Sequence, residues 1–281
     1  MCGPHWPGCP TAEPNIEPEP STEPDPASPA VPRDRHLAWD GCYNARDLGG
    51  LRAADGREIR WGAVVRSEAP DLLTAQGWSA VHEYGIRTII DLRNDDEVTH
   101  LPLRPPGLPV VRRPLDAAQD KEFWDRWATA GQFGTPVYYR PFLDRFPQRI
   151  AGVLSAIAKA APGGVLVHCA QGRDRTGLVS LILLAVAGVA AEDIAADYVM
   201  STHRLTPLFG RLGRTDQGPA IEEYLARAGT SAQEIIISTL AGLDVSAYLR
   251  DAGLADGVLA ELRSRLLDEP GISGRQPRRQ A

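Results

Sequence analysis

The sequence predicts an α/β domain with a mostly parallel central sheet flanked by helices and a helical C-terminal part. Three observations predict it. Short apolar runs at 63–67, 87–93 and 165–167 alternate with segments of helical period, the pattern of parallel strands joined by crossover helices. Residues 178–189 are almost wholly apolar, as a helix buried on all sides requires. From 191 onward the chain offers only helical stretches, with glycines at several of their ends.

Taken in order, residues 1–33 hold ten prolines, several acids and few large aliphatics. Such a segment cannot bury enough surface to offset its ordering entropy, so 1–35 reads as a disordered, solvated arm. Cys2 and Cys9 flank a single histidine with no second pair, which does not make a metal site. The fold is expected to begin near His36. Residues 44–50 read as a turn-rich loop, and Asp55-Gly56 as a hairpin turn. The 63–67 run reads as a strand ending in Arg66-Ser67. Thr74 caps a helix that runs through Tyr84 and stops at Gly85. The 87–93 strand carries Asp91 and Arg93, read as a structural ion pair.

Residues 110–115 form a further apolar-leaning segment ending at Asp116. Over 117–148 the aromatics Phe123, Trp124, Trp127 and Phe133 suggest an amphipathic helix and a loop, with the rings in the core rather than on a substrate platform. Helices are expected at 147–161, 191–200, 218–228, 232–240, 245–251 and 256–267. The end, 269–281, reads as a short, mobile, basic tail.

The residues that carry chemistry are His168-Cys169-Ala170-Gln171-Gly172-Arg173-Asp174-Arg175-Thr176-Gly177, between the 165–167 strand and the 178–189 helix. The first N–H groups of a helix lack partners, and the helix dipole adds positive charge there. Residues 170–175 can therefore curl their N–H groups into a cradle for a tetrahedral dianion. The same field favours thiolate at Cys169 over a free thiol of pKa about 8.5. Arg175 can add a two-pronged contact to two phosphate oxygens. Thr176 can offer its hydroxyl to the cysteine sulfur, and His168 can brace the loop. A Cys-x5-Arg spacing alone is weak in an arginine-rich chain. The added His, Gly172 and Thr-Gly make it specific. The N–H groups and Arg175 supply a positive field themselves, so no metal or other cofactor is called for.

His-Cys-x-x-Gly-x-x-Arg-Thr-Gly resembles the signature of cysteine-dependent protein tyrosine and dual-specificity phosphatases. With Asp before the arginine it is similar to the bacterial group typified by mycobacterial tyrosine phosphatase B. Arg173 stands where that group usually has lysine. Asn44-Ala45-Arg46-Asp47-Leu48-Gly49-Gly50, Arg66-Ser67, Ile90-Asp91-Leu92-Arg93, Ala196-Asp197-Tyr198 and residues 248–253 also match, so the resemblance spans roughly 36–265. It implies a phosphotyrosine-phosphatase-like catalytic domain over 36–268 and phosphotyrosine hydrolysis through a phosphocysteine. Phosphoserine, phosphothreonine or phosphoinositides are implied as further substrates. Arg46 and Asp47 would support the site, Arg66-Ser67 would lie near it, and a basic residue at 173 would face a second phosphate. Packing of a strand end remains an equal reading of Arg66-Ser67.

A leaving oxygen needs a proton, so a carboxylic acid is required. Asp174, inside the loop, is the first candidate, since relatives use the matching residue as an acid or as an aid to it. Asp116, after a strand, is the second. Two other classes stay open: a non-catalytic phosphate-binding module, and a thiol redox or sulfur-transfer enzyme. The intact Cys169, Asp174 and Arg175 speak against the first, and the absence of a Cys-x-x-Cys pair against the second.

The net charge is −6, but residues 1–40 hold seven acids and two arginines, which leaves the rest close to neutral. That balance gives no reason to expect nucleic acid as a partner. The expected partner is a phosphorylated protein or phosphoinositide substrate. The apolar run from 178 is too short and alanine-rich for membrane insertion, and no signal peptide is visible, so a cytoplasmic location is expected.

Overall fold

Val165, Leu166 and Val167 are the centre of a five-stranded sheet. In a computed structural model, which describes residues 33–98, 105–128 and 134–268, the strands are β1 (Arg46–Asp47), β2 (Val64–Ser67), β3 (Ile86–Asp91), β4 (Val110–Arg112) and β5 (Gly164–His168). Their order is β1-β2-β5-β3-β4. β1 is antiparallel to β2, and every other pairing is parallel. β5 lies between β2 and β3, with Val167 opposite Arg66 on one side and Ile90 on the other. All five of its residues are buried. Both faces of the sheet are covered, which is why the strands read as continuous apolar runs. Val64, Ile90, Val165 and Val167 face one core, while Val65, Ile89 and Leu166 face the other.

The smaller core is closed by α1 (Ala75–Glu83), whose N-cap Thr74 accepts from Gly77 N at 3.2 Å and whose Trp78 and Val81 are buried. Gly85, at φ +96°, ends it as expected. The larger core holds α4 (Pro147–Ala158) and α5 (Asp174–Val186). α5 buries Leu178, Val179, Leu181, Ile182, Leu183 and Leu184, so no polar face remains. Each of those side chains contributes about 1.5–3 kcal/mol of transfer free energy. α2 (Lys121–Ala128) brings Phe123 against Phe142 and Phe146 of the following segment, at ring separations of 6.0 and 5.0 Å. Its aromatics are core, as the sequence suggested; Phe133 lies outside the described residues, as do 1–32 and 269–281.

Two elements differ from expectation. Tyr139–Arg145 forms a helix, α3, where only a loop was expected before Pro147. The helix expected at 191–200 continues to Leu212 as α6 (Ala191–Leu212), through Pro207. Leu205, Leu208 and Phe209 hold it down by packing with Tyr43 and Leu72. The remaining helices are α7 (Gly218–Arg227), α8 (Ala232–Leu240), α9 (Val245–Asp251) and α10 (Asp256–Leu266), close to the expected bounds. Among the described residues no helix is long and apolar enough to cross a membrane. The loop after β5 opens at the carboxyl edge of the parallel strands, where open α/β sheets bind ligands.

Candidate active site

β5 ends at His168 and α5 begins at Asp174, so residues 169–173 must turn within five positions. Gly172 permits the turn. Its φ is +69°, and a Cβ there would lie 2.3 Å from the Ser67 carbonyl. The loop's carbonyls are held one after another. Cys169 O lies 3.1 Å from His168 Nδ1 and takes its proton in the Nδ1–H tautomer. Ala170 O accepts from Ala69 N at 3.0 Å, and Gln171 O from Asn44 Nδ2 at 3.0 Å. Gly172 O and Arg173 O accept from Arg66 Nη2 at 2.8 and 3.3 Å. In a trans peptide the N–H points opposite to the C=O. Five carbonyls turned outward therefore aim five N–H groups, those of residues 170–174, into the turn. Gly172 N already donates to Cys169 Sγ at 3.2 Å. Cys169 itself is buried, 3% exposed. Burial lowers the pKa of His168, so the imidazole stays neutral and braces the loop.

Arg175, the second residue of α5, turns its guanidinium to Glu97 and Asp116. Its Nη1 and Nη2 are held end-on by Glu97, Nη2 at 2.6 Å from Oε1, and Nη1 lies 3.2 Å from Asp116 Oδ2. Among the described residues its side-on edge, through Nε, makes no hydrogen bond to a carboxylate. Burial disfavours the guanidinium charge, but Glu97 and the neighbouring anions more than restore it. Glu97 ends a short 3₁₀ turn after β3 and accepts from Asn94 N at 2.8 Å. Sequence reasoning missed this residue. The Asn94-x-x-Glu97 capping box was legible, but nothing in it pointed 78 positions along the chain to Arg175. With Glu97→Gln, kcat/KM on an aryl phosphate should fall roughly 10- to 100-fold while the fold survives, because a charged clamp becomes a neutral one. Steady-state kinetics beside a thermal melt check this; unchanged kinetics would show that Arg175 needs no clamp.

Asp116 follows β4 and sits between Arg175 and Asn94, whose Nδ2 is 3.3 Å from its Oδ2. Burial raises its pKa, Glu97 and Asp174 add to this, and Arg175 and Asn94 only partly oppose it. Asp174 lies differently. Its carboxylate is 3.3 Å from Arg173 Nε and accepts from Tyr198 OH at 3.3 Å, while its carbonyl accepts from Tyr139 OH. Arg173 is 4% exposed, turned under Gly134 and paired with Asp174. The expected reach of its side chain toward a second phosphate is not what the structure has: the adjacent Asp174 carboxylate, itself bonded by Tyr198 OH, pairs with it. Its backbone remains part of the cradle.

Thr176 Oγ1 is buried and makes no hydrogen bond within the described residues, so the expected donation to Cys169 Sγ is not formed. Arg46 is fully buried and reaches the loop through Asn44, whose Oδ1 accepts from Nη1 at 2.7 Å. Asp47 accepts from Gly49 N and Gly62 N and from Tyr84 OH, which shapes the turn beside β1. Asp91 and Arg93 form the expected ion pair at 3.0 Å, and Arg93 also holds Asp71.

A family model described as "Tyrosine phosphatase family" matches residues 37–268. A protein assigned as a tyrosine-protein phosphatase in Cupriavidus necator is 30% identical over 268 residues, 86% of this chain and 92% of that protein. The triple specificity protein phosphatase PtpB of Mycobacterium tuberculosis is 26% identical over 280 residues, 81% of this chain and 97% of that protein. A tyrosine-protein phosphatase of Nostoc commune is 30% identical over a shorter span, 51% of this chain and 49% of that protein. With the match extending over the sheet, the loop and the helical half alike, the chain belongs to the tyrosine phosphatase family.

Proposed function

We propose that this protein hydrolyses phosphotyrosine-type monoesters through a phosphocysteine. The observation that carries the proposal is the row of held carbonyls around Cys169, with Gly172 N donating to its sulfur. In the first step the Cys169 thiolate attacks phosphorus in line. A P–S bond forms, the P–O bond to the leaving group breaks, and an acid protonates the departing oxygen. The inward N–H groups and the side-on edge of Arg175 hold the equatorial oxygens, whose charge is spread in the transition state. In the second step water attacks the phosphocysteine, the same acid, now a base, takes the proton, and inorganic phosphate and thiolate are released.

We assign the acid to Asp116 and give Asp174 an orienting role, the reverse of the order the sequence suggested. Asp116 is half-buried and pushed toward its protonated form while it stands against Arg175. Asp174 is committed to Arg173 and Tyr198. That commitment also bears on substrate choice. With Arg173 spent on Asp174, the loop offers no extra side-chain cation of its own to a second phosphate. A panel of a phosphotyrosine peptide, a phosphoserine peptide and phosphoinositide vesicles tests this. Phosphotyrosine should exceed the lipid in kcat/KM by roughly tenfold or more, about one lost charge-assisted contact. Equal or greater lipid turnover would place another cation at the mouth.

A further inference from the structure

Behind the phosphate loop lies a charge cluster that no step above uses. Asp197 on α6 is 1% exposed, yet it is ionised: Arg66 Nη1 is 2.7 Å away, Arg35 Nη1 2.8 Å and Arg46 Nε 3.1 Å. Burial pushes its carboxyl up, but the three guanidinium groups hold it far below the usual carboxylate range. A buried ion cluster is weak evidence for stability, since well-packed apolar side chains often do as well. What distinguishes this cluster is where its arms end. Arg66 binds Asp197 with Nη1 and the carbonyls of Gly172 and Arg173 with Nη2. Arg46 binds Asp197 with Nε and Asn44 with Nη1, and Asn44 holds the Gln171 carbonyl. Two arginines thus run from one carboxylate to three successive peptides of the loop.

We propose that Asp197 is a positioning residue for the anion cradle: by fixing Arg66 and Arg46 it locks three carbonyls outward and so aims the N–H groups of Gly172, Arg173 and Asp174 at the phosphoryl group. The proposal rests on the phosphatase reading of the loop and deepens it. Arg66 and Arg46 repel each other, and among the described residues the carboxylate between them is what binds both. Without that charge Arg66 loses its anchor and Arg46 keeps only the Asp197 carbonyl, Ser201 and Asn44, so the Gln171 and Gly172 carbonyls are held less firmly, while Arg173 O keeps its bond from Gly177 N at 2.8 Å. Among the described residues Asp197 makes its hydrogen bonds and ion pairs to Arg35, Arg46 and Arg66 and none to the loop, so it acts through those partners. Arg35 provides the internal control. It pairs with Asp197, but its other contacts are Asp47 O and Met200 Sδ, none in the loop.

The test compares full-length wild type with Asp197→Asn, Asn44→Ala and Arg35→Gln. Two readouts follow the cradle: the Ki of inorganic phosphate, and the ratio of alkylation rates at Cys169 with iodoacetate and with iodoacetamide, followed on the Cys169 peptide. Both reagents meet the same sulfur, so their ratio reads the pull of the cradle on an anion and needs no turnover. A thermal melt reports stability separately. Asp197→Asn should raise the phosphate Ki and lower the alkylation ratio, each about tenfold, and Asn44→Ala about threefold, in proportion to the donors released. Arg35→Gln should lower Tm and leave both readouts near wild type. If Asp197→Asn lowers Tm while Ki and ratio stay at wild-type values, the residue is structural only and the proposal falls. If Asp197→Asn does not fold, Asn44→Ala decides, and an unchanged ratio there overturns the proposal. A wild-type protein without phosphatase activity, but with the same fall in ratio on substitution, would remove the phosphatase reading and leave the positioning role standing.

Discussion

Cys169→Ser should lower kcat on p-nitrophenyl phosphate or a phosphotyrosine peptide by about 10⁴-fold or more, with Kd for inorganic phosphate kept within a few-fold of wild type. The two effects separate because nucleophile and cradle are built from different atoms. In the proposed reaction the attacking atom is the sulfur, and the cradle is a set of backbone N–H groups whose peptides are held by bonds to His168, Ala69, Asn44 and Arg66, none of which involves Sγ. A serine hydroxyl at the same position has a pKa far too high for the field of a helix end to ionise it. The single bond that changes is the one from Gly172 N to the sulfur, which an oxygen can also accept. Turnover by rapid phosphate release and binding by calorimetry give the two numbers. Retention of more than a few per cent of kcat would mean that another group attacks phosphorus, and the phosphocysteine route would be withdrawn.

The sequence made the chemistry legible where chemistry depends on neighbours along the chain. The strand, the turn and the buried helix around Cys169 follow from Val165–Val167, Gly172 and the apolar run after Gly177, all within one contiguous stretch. The cap at Thr74 and the stop at Gly85 are local too. What could not be read is what long-range pairing decides. Arg175 is an obvious phosphate ligand in sequence, but the carboxylate that aims it comes from Glu97, an ordinary acid in an acidic turn. Arg173 looked like a free cation; only the packing of Tyr139, Tyr198 and Gly134 shows that it is consumed by its own neighbour. The expected helix stopped at 200, yet α6 runs on through Pro207, because burial of Leu205, Leu208 and Phe209 outweighs the lost backbone bond. The helix matters to the site, since the segment that carries Asp197 and Tyr198 would otherwise have no fixed register against the loop.

Asp116→Asn should cost roughly 10²–10⁴-fold in kcat/KM on a phosphotyrosine peptide and far less, about tenfold, on p-nitrophenyl phosphate, whose leaving group departs without a proton. The pH profile gives the sharper reading. The acid must be protonated to donate, so wild-type kcat/KM falls as pH rises through the Asp116 pKa. Burial, helped by Glu97 and Asp174, moves that fall upward from the ordinary aspartate range. The asparagine variant has no proton to lose at that position, so its profile loses this limb and becomes flat there. Asp174→Asn has a different signature. It frees Arg173 and Tyr198 and loosens the first turn of α5, so activity drops by roughly an order of magnitude, while the alkaline limb stays where wild type has it. The two variants therefore separate by the shape of the curve and not only by its height. Should the limb vanish in Asp174→Asn and persist in Asp116→Asn, the proton comes from inside the loop, and the order the sequence first suggested is the right one. The physical reason for the opposite expectation is a competition for cations. One guanidinium, Arg175, faces both Glu97 and Asp116, and Glu97 holds it through both terminal nitrogens. A partly desolvated carboxyl left with the smaller share of a cation keeps its proton longest, and that carboxyl is Asp116.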